Sequence, residues 1–316
     1  MLCRAGIREW YVSNSLWEAS GLSQPQVYQL GPVRIRSALP LPFSKVDGRA
    51  VDAELFLSQT FPSKSQRAEH DFLVSWEGSR AWIGLHESVD AFVSDGTVVC
   101  IDPRVAGDPN SPAVWAALAV LLLQRGMLLL HGAAVAEVSG ATVFLGPSGA
   151  GKSTAACYHA LQGATFLSDD LVPLFCNQSG IICTFQFDRI SALVPRPHPD
   201  AEWISEALLV KARGVRFDGK KRFEVGEGDS TITYPIENTV CLGPSGSGRL
   251  AKGTNEASPV AGLMYILDSL ACAPLNRANL GRKHLEIASR LVEQTAAGGR
   301  VQQRCVKERG AISQQA

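Results

Sequence analysis

The chain has 316 residues, 46% hydrophobic and 19% charged, with a formal net charge of zero. That length makes one large or two modest soluble domains, and a neutral chain carries no electrostatic footprint for nucleic acid. Its eight cysteines are scattered and form no C-x-x-C pair, which argues against a zinc site or a thioredoxin-type motif. The first ten residues lack the apolar stretch of a signal peptide, so the thiols read as reduced and the chain as cytoplasmic. The longest apolar run, 113–123, falls short of the ~20 residues a bilayer needs, so it reads as a buried helix and no membrane is expected.

Residues 1–26 show no sustained period and read as a weakly ordered lead-in. From Val27 an extended segment follows, alternating at Val33 and Ile35, and Leu39–Phe43 is a Pro-punctuated connection. Residues 71–76 and 81–85 read as strands joined by a turn at Gly78. Residues 91–101 make the clearest hairpin, because Asp95-Gly96 supplies the two positive-φ positions of a type I′ turn. His70 and His86 stand singly here and read as ordinary strand or surface histidines. Ser111-Pro112 starts a helix that Gly126 ends, with Ser at the cap and Pro in the first turn. Residues 128–138 read as one strand, turned by Ser139-Gly140 into a second over 141–145. The chain therefore makes a hairpin immediately before its most informative segment.

That segment is 146–153, Gly-Pro-Ser-Gly-Ala-Gly-Lys-Ser, which has the spacing G-x-x-x-x-G-K-[ST] of a phosphate-binding P-loop. Gly146, Gly149 and Gly151 let the backbone turn and approach phosphate oxygens. Pro147, Ser148 and Ala150 fill the loop between them. Lys152 supplies a charge to the terminal phosphates, and Ser153 offers a hydroxyl to Mg²⁺. A β-prone run enters the loop. A helix leaves it from Lys152 through Thr154 to about Gln162, with Gly163 as its stop, and points its N-terminus at the phosphates. The next strand, 164–170, ends in Asp169-Asp170. An apolar strand ending in acid, one crossover helix after the loop, is a Walker-B-like arrangement. Adjacent strand residues face opposite ways, so the two acids need not share one task.

Residues 171–175 and 181–187 flank a turn at 177–180. Val194–Pro199, with three prolines at alternate positions, reads as a surface loop that could face a substrate. Residues 202–211 read as a short helix, and 217–225 as a strand–turn–strand with a basic tip at Lys220, Lys221 and Arg222. That tip is either a solvated turn or a second cationic clamp. Residues 236–242 form a strand before Gly243-Pro-Ser-Gly-Ser-Gly-Arg-Leu, which nearly copies the P-loop. Arg249 and Leu250 replace its Lys and Ser, so it is no second nucleotide site. The polar 251–258 stretch reads as a loop. Helices are expected over 259–271 and 282–295, the second with Leu285, Ala288, Leu291 and Val292 on one face. A polar tail follows from Gly298.

Taken together, His131-Gly132, the hairpin, the P-loop, its helix and the strand ending Asp169-Asp170 resemble the catalytic domain of HPr kinase/phosphorylase. The close match covers 128–175. A looser resemblance over the whole chain is to smaller HPr-kinase-related proteins of peptide biosynthetic clusters. The resemblance implies an α/β fold: a P-loop kinase domain of HPr kinase and phosphoenolpyruvate-carboxykinase type with a mixed sheet. A smaller β-rich N-terminal lobe precedes it, giving domains of 1–108 and 109–316. It implies ATP and Mg²⁺ as cofactors. Lys152 would hold the β- and γ-phosphates, Ser153 and Asp170 the metal, and Asp169 would accept the proton of the substrate hydroxyl. His131 matches an active-site histidine. The acceptor implied is Ser on a peptide or small protein, and the hexamers of bifunctional relatives admit a homo-oligomer. After the Asp-Asp strand, the Glu-x-Arg-Gly-Leu-Gly-type signature of those relatives has no counterpart in 188–197. Phosphorolysis is therefore not implied, and HPr itself is a poor substrate candidate. Two other readings stand beside the kinase: an NTP-binding regulatory module and a small-molecule phosphotransferase.

Overall fold

The computed structural model describes residues 25–62, 72–85, 88–107, 111–188, 190–193, 212–215, 221–225, 228–242, 259–270 and 281–298. The first strands are β1 (Gln26–Leu30), β2 (Val33–Ser37), β3 (Ser44–Lys45), β4 (Ala53–Leu57), β5 (Phe72–Glu77), β6 (Arg80–Leu85), β7 (Ala91–Ser94) and β8 (Val98–Ile101). They form an eight-stranded mixed sheet in the order β3-β1-β2-β4-β8-β7-β6-β5. The extended segment expected from Val27 is two antiparallel strands, because Gly31 turns at φ +53°. Alternation then sets the faces: Val33 and Ile35 are buried while Arg34 is exposed. The Asp95-Gly96 turn has φ of 55° and 62°, as a type I′ turn requires.

After the short α1 (Pro103–Ala106) comes α2 (Pro112–Gln124). Ser111 stands at its N-cap position without a capping side-chain hydrogen bond. The helix is apolar all round and buries Val114 and Ala117–Leu123. A helix of that composition must be covered on every side. It lies on β6, β7 and β8 and also on β9 (Leu128–Leu130), and its core includes Leu129, Phe185 and Phe187.

The second sheet takes in β9, β10 (Gly132–Glu137), β11 (Gly140–Leu145), β12 (Thr165–Asp169), β13 (Val172–Cys176), β14 (Ile182–Phe185) and β18 (Thr233–Cys241). Their order is β12-β10-β11-β18-β14-β13-β9. Only β11 and β18 run parallel within it. The single strand expected over 128–138 is broken at His131, and the segment paired with it is broken opposite: Leu130 pairs with Val172, and Ala133 with Asp169. The β9–β10 and β12–β13 segments are therefore one antiparallel pair interrupted at His131 and Asp170-Leu171. The sheet folds back so that its two ends meet there.

Helix α3 (Lys152–Leu161) covers one face, where Ala133, Val135 and Phe144 meet Ala156 and Cys157. Helices α4 (Pro259–Asp268) and α5 (Arg282–Gly298) cover the other, where Ala134, Val143 and Leu145 meet Ile287, Ala288 and Leu291. The expected face of α5 needs one correction. Leu285 is 47% exposed, and His284, at 7%, is buried in its place.

A small sheet of β15 (Ile190–Leu193), β17 (Lys221–Glu224) and β16 (Ala212–Val215) lies against α3 and β12. Lys221 and Arg222 are thus residues of its central strand, not the tip of a turn. The lead-in over 1–24, His70, His86, the 194–199 loop, the 202–211 helix, Lys220, the 243–250 near-copy, the 251–258 loop and the tail from 299 lie outside the described residues. Among the described residues no helix is long and apolar enough to cross a membrane.

Candidate functional site

The loop over 146–151 joins the end of β11 to α3 and packs beside the end of β18. Leu242 continues the parallel pairing by donating its N–H to the Leu145 carbonyl at 2.8 Å. Gly146 then turns at φ +153°, with the Leu242 carbonyl oxygen 2.5 Å from where a Cβ would sit. Gly151 turns at φ +100° into the first residue of α3, and a Cβ there would meet nothing within 4 Å. The loop is thus pressed against protein at its start and open at its end, on the side where the helix presents its N-terminus. Ala150 is buried, whereas Pro147, Ser148 and Gly149 are exposed. The Ala150 N–H donates to the Pro147 carbonyl at 3.1 Å and tightens the turn.

Lys152 is 6% exposed, and its ammonium donates to the carbonyls of Gly146 at 2.9 Å and Pro147 at 3.2 Å. A buried ammonium needs such acceptors, and they hold its charge over the loop. The Ser153 hydroxyl donates to Asp169 Oδ1 at 2.8 Å, and the Asp170 N–H donates to the same oxygen at 3.0 Å. Asp169 is 4% exposed and Asp170 half-buried. The strand order explains how residues 16 apart in sequence meet. β12 and β11 are both antiparallel to β10, which lies between them, so their C-terminal ends lie on the same side of the sheet. Asp170 takes φ +66°. That left-handed value, uncommon for a residue with a side chain, marks the place where the chain leaves β12 for β13.

His131 sits at the matching break between β9 and β10. It is half-buried, and its backbone N–H donates to the Ser269 carbonyl at 2.6 Å. The register places it across from the Asp170-Leu171 interruption. The two irregularities, far apart in sequence, occur at one point of the sheet. Thr154 is the third residue of α3 and is half-buried. Cys241, the last residue of β18 and the partner of Leu145, is buried, and desolvation pushes its thiol up to about 11. It is a packed thiol rather than a nucleophile.

Two parts of this site were not anticipated. One is β18 as the parallel neighbour of the P-loop strand, which puts the Leu242 carbonyl against Gly146. The signal was the second Gly-Pro-Ser-Gly, which in the sequence follows the 236–242 run as the first follows 141–145. The other is Ser269, whose carbonyl holds His131 and which had no sequence signal.

No protein-family description matches this chain, and no curated protein does. Among solved structures it is similar to the Hpr(Ser) kinase/phosphatase from Coxiella burnetii. The identity is 11%, the overlap covers 39% of this chain and 71% of that one, and the TM-score is 0.24. The chemistry of the site is accordingly read from its own atoms.

Proposed function

We propose that the chain is an ATP- and Mg²⁺-dependent kinase that transfers the γ-phosphate to a hydroxyl, that of Ser on a peptide or small protein. The observation that carries this reading is the 2.8 Å hydrogen bond from the P-loop Ser153 to Asp169. It joins a carboxylate to the hydroxyl at a helix N-terminus that Lys152 already makes cationic. Mg²⁺ is held in such sites by one or two protein oxygens together with substrate phosphates rather than by a protein cage. The donor set fits that preference. Among the described residues no cluster of three or more His, Cys, Asp or Glu side chains could hold a metal, whereas the Ser153 hydroxyl and the aspartates are hard oxygens at the loop.

In this reading Mg·ATP supplies the phosphoryl group and the counter-charge. Lys152 exchanges its bonds to the Gly146 and Pro147 carbonyls for phosphate oxygens. Ser153 and Asp170 would hold the metal. Asp169 accepts the proton of the acceptor hydroxyl, and His131 stands beside that carboxylate pair at the sheet break. A serine hydroxyl ionises poorly near neutral pH, so a carboxylate in reach is the natural base. Positioning and charge neutralisation do the rest. The acceptor is read as a peptide by sequence resemblance, and the division into residues 1–108 and 109–316 belongs to the same reading.

The test is intact-mass measurement of serine-containing acceptor peptides incubated with the chain and ATP, with and without Mg²⁺. The expected result is a Mg²⁺-dependent gain of one phosphate. Asp169→Asn should retain ATP binding and lose about 10²- to 10⁴-fold in transfer. Unimpaired transfer in that variant removes Asp169 as the base. ATP binding without transfer to any hydroxyl favours the regulatory module, and transfer to small hydroxyl compounds alone favours the small-molecule enzyme.

A further inference from the structure

A cavity of about 430 Å³ opens on the α5 face of the second sheet, opposite the face that carries the P-loop helix. Its walls come from the β1–β2 turn, the C-terminal end of α2, the end of β13 and the first turns of α5. We propose that this cavity binds a small oxyanion ligand, a phosphate ester or a polycarboxylate, at a site separate from the P-loop.

Three cations from two helices converge on it: Arg125 from the end of α2, and Lys283 and Arg290 from α5. Arg125 is fixed in place. Its Nη2 donates to Asp52 Oδ1 at 2.8 Å, and its Nη1 donates to the Gly96 and Asp52 carbonyls, each at 3.2 Å. Arg290 is held from both sides. Its Nη2 donates to Glu286 Oε1 at 2.9 Å, and its Nη1 donates to Cys176 Sγ at 3.5 Å. Lys283 makes no ion pair among the described residues. With Glu286 on the wall and Asp52 behind Arg125 both counted, one positive charge remains in excess. Apolar side chains such as Phe175 make up the rest of the wall. A concave site with a low-dielectric lining concentrates the field of such a charge. Guanidinium forks held in fixed orientation suit flat oxyanions, and a mobile ammonium can close on them. The volume lies in the ~300–1,000 Å³ range of small-ligand sites. An arriving oxyanion takes Lys283 directly and shares Arg290 with Glu286.

Cys176, half-buried on the cavity wall, is a built-in reporter. The full-length chain is alkylated with iodoacetate or with neutral iodoacetamide, and each cysteine is read by peptide mass spectrometry. At Cys176 the anionic reagent should gain on the neutral one by roughly fivefold over their ratio at an unfolded thiol. That is the factor one unit charge about 4 Å away gives in water. Inorganic phosphate or citrate should slow the modification. Protection by phosphate alone identifies the phosphate class and protection by citrate alone the carboxylate class. Lys283→Gln, a change at an exposed position, should lower both the reagent preference and the protection while leaving the melting temperature without added anion unchanged. As a second measurement, phosphate or citrate should raise the melting temperature of the wild type more than that of Lys283→Gln. Should Cys176 resist both reagents, this shift alone decides. Equal reagent ratios with no protection, or the absence of a differential melting shift, overturns the proposal and leaves the cavity a solvent cleft.

Discussion

Gly146 has no room for a side chain. Its φ of +153° and the Leu242 carbonyl 2.5 Å from a would-be Cβ together mean that Ala must both strain the backbone and push β18 away from β11. Gly151 separates these two costs, since its φ of +100° is unfavourable for Ala but the space around it is open. We expect Gly151→Ala to destabilise the fold by about 1–3 kcal/mol, the usual cost of a forced left-handed residue. Gly146→Ala should cost more than that, because a close contact adds to the strain. Urea unfolding of the two variants measures the difference, and equal losses would mean that β18 yields without resistance. The consequence for the site is direct. Lys152 donates to the Gly146 carbonyl, so displacing Gly146 moves the acceptor that holds the ammonium over the loop.

At the scale of elements, the joint between α2 and α5 rests on His284. Its Nδ1 accepts the Gly281 N–H at 3.1 Å, so its Nε2 carries the proton and donates to the Leu123 carbonyl at 3.3 Å. One neutral imidazole thus serves the end of one helix and the start of the other. Burial is the main force lowering its pKa below the ordinary 6.5. The neighbouring Lys283 charge acts in the same direction, and backbone contacts with Leu123, Met127 and Gly281 oppose them. The unfolded chain therefore binds a proton more readily than the folded one. Stability contributed at this joint is complete above about pH 6.5 and is lost as pH falls from there through the folded value. Urea unfolding at pH 7.5 and 5.5 should show a drop in the wild type that is smaller in His284→Gln. An equal drop in both would place the sensitivity elsewhere.

This joint also shows what the sequence could not convey. The period of α5 points to Leu285 as a core residue, but the helix is rotated so that His284 is buried and reaches the Leu123 carbonyl at the end of α2. Local patterns were legible wherever one stretch contains its own explanation. The Asp95-Gly96 turn, the loop at 146–153 and the crossover to Asp169 are of that kind. The parallel pairing of β11 with β18 and the facing breaks at His131 and Asp170 depend on segments that meet only after folding. For those, the sequence held the glycines and acids but not their partners.

At the scale of the whole molecule, the two larger sheets share one core. Helix α2 is packed on both, and Phe185 from the second sheet and Phe187 just beyond β14 lie in the same cluster as Ile35, Leu55 and Ile101 from the first. A polar seam runs beside it. Ser230, just before β18, donates to the Gln29 carbonyl at 2.6 Å, while its own carbonyl accepts the Gly31 N–H at 2.9 Å and its hydroxyl accepts the Ser44 N–H at 2.9 Å. Cutting between the sheets would expose α2 on one side or the other, and an apolar helix cannot be left half in water. The sheets should therefore unfold together. Far-UV circular dichroism and tryptophan fluorescence should give coincident urea transitions. Leu118→Ala, at a position 1% exposed within α2, should cost about 2–5 kcal/mol and shift both signals by the same amount. Fluorescence moving ahead of the dichroism in that variant would show that the chain does not unfold as one unit, and that α2 belongs energetically to one sheet rather than to the join between them.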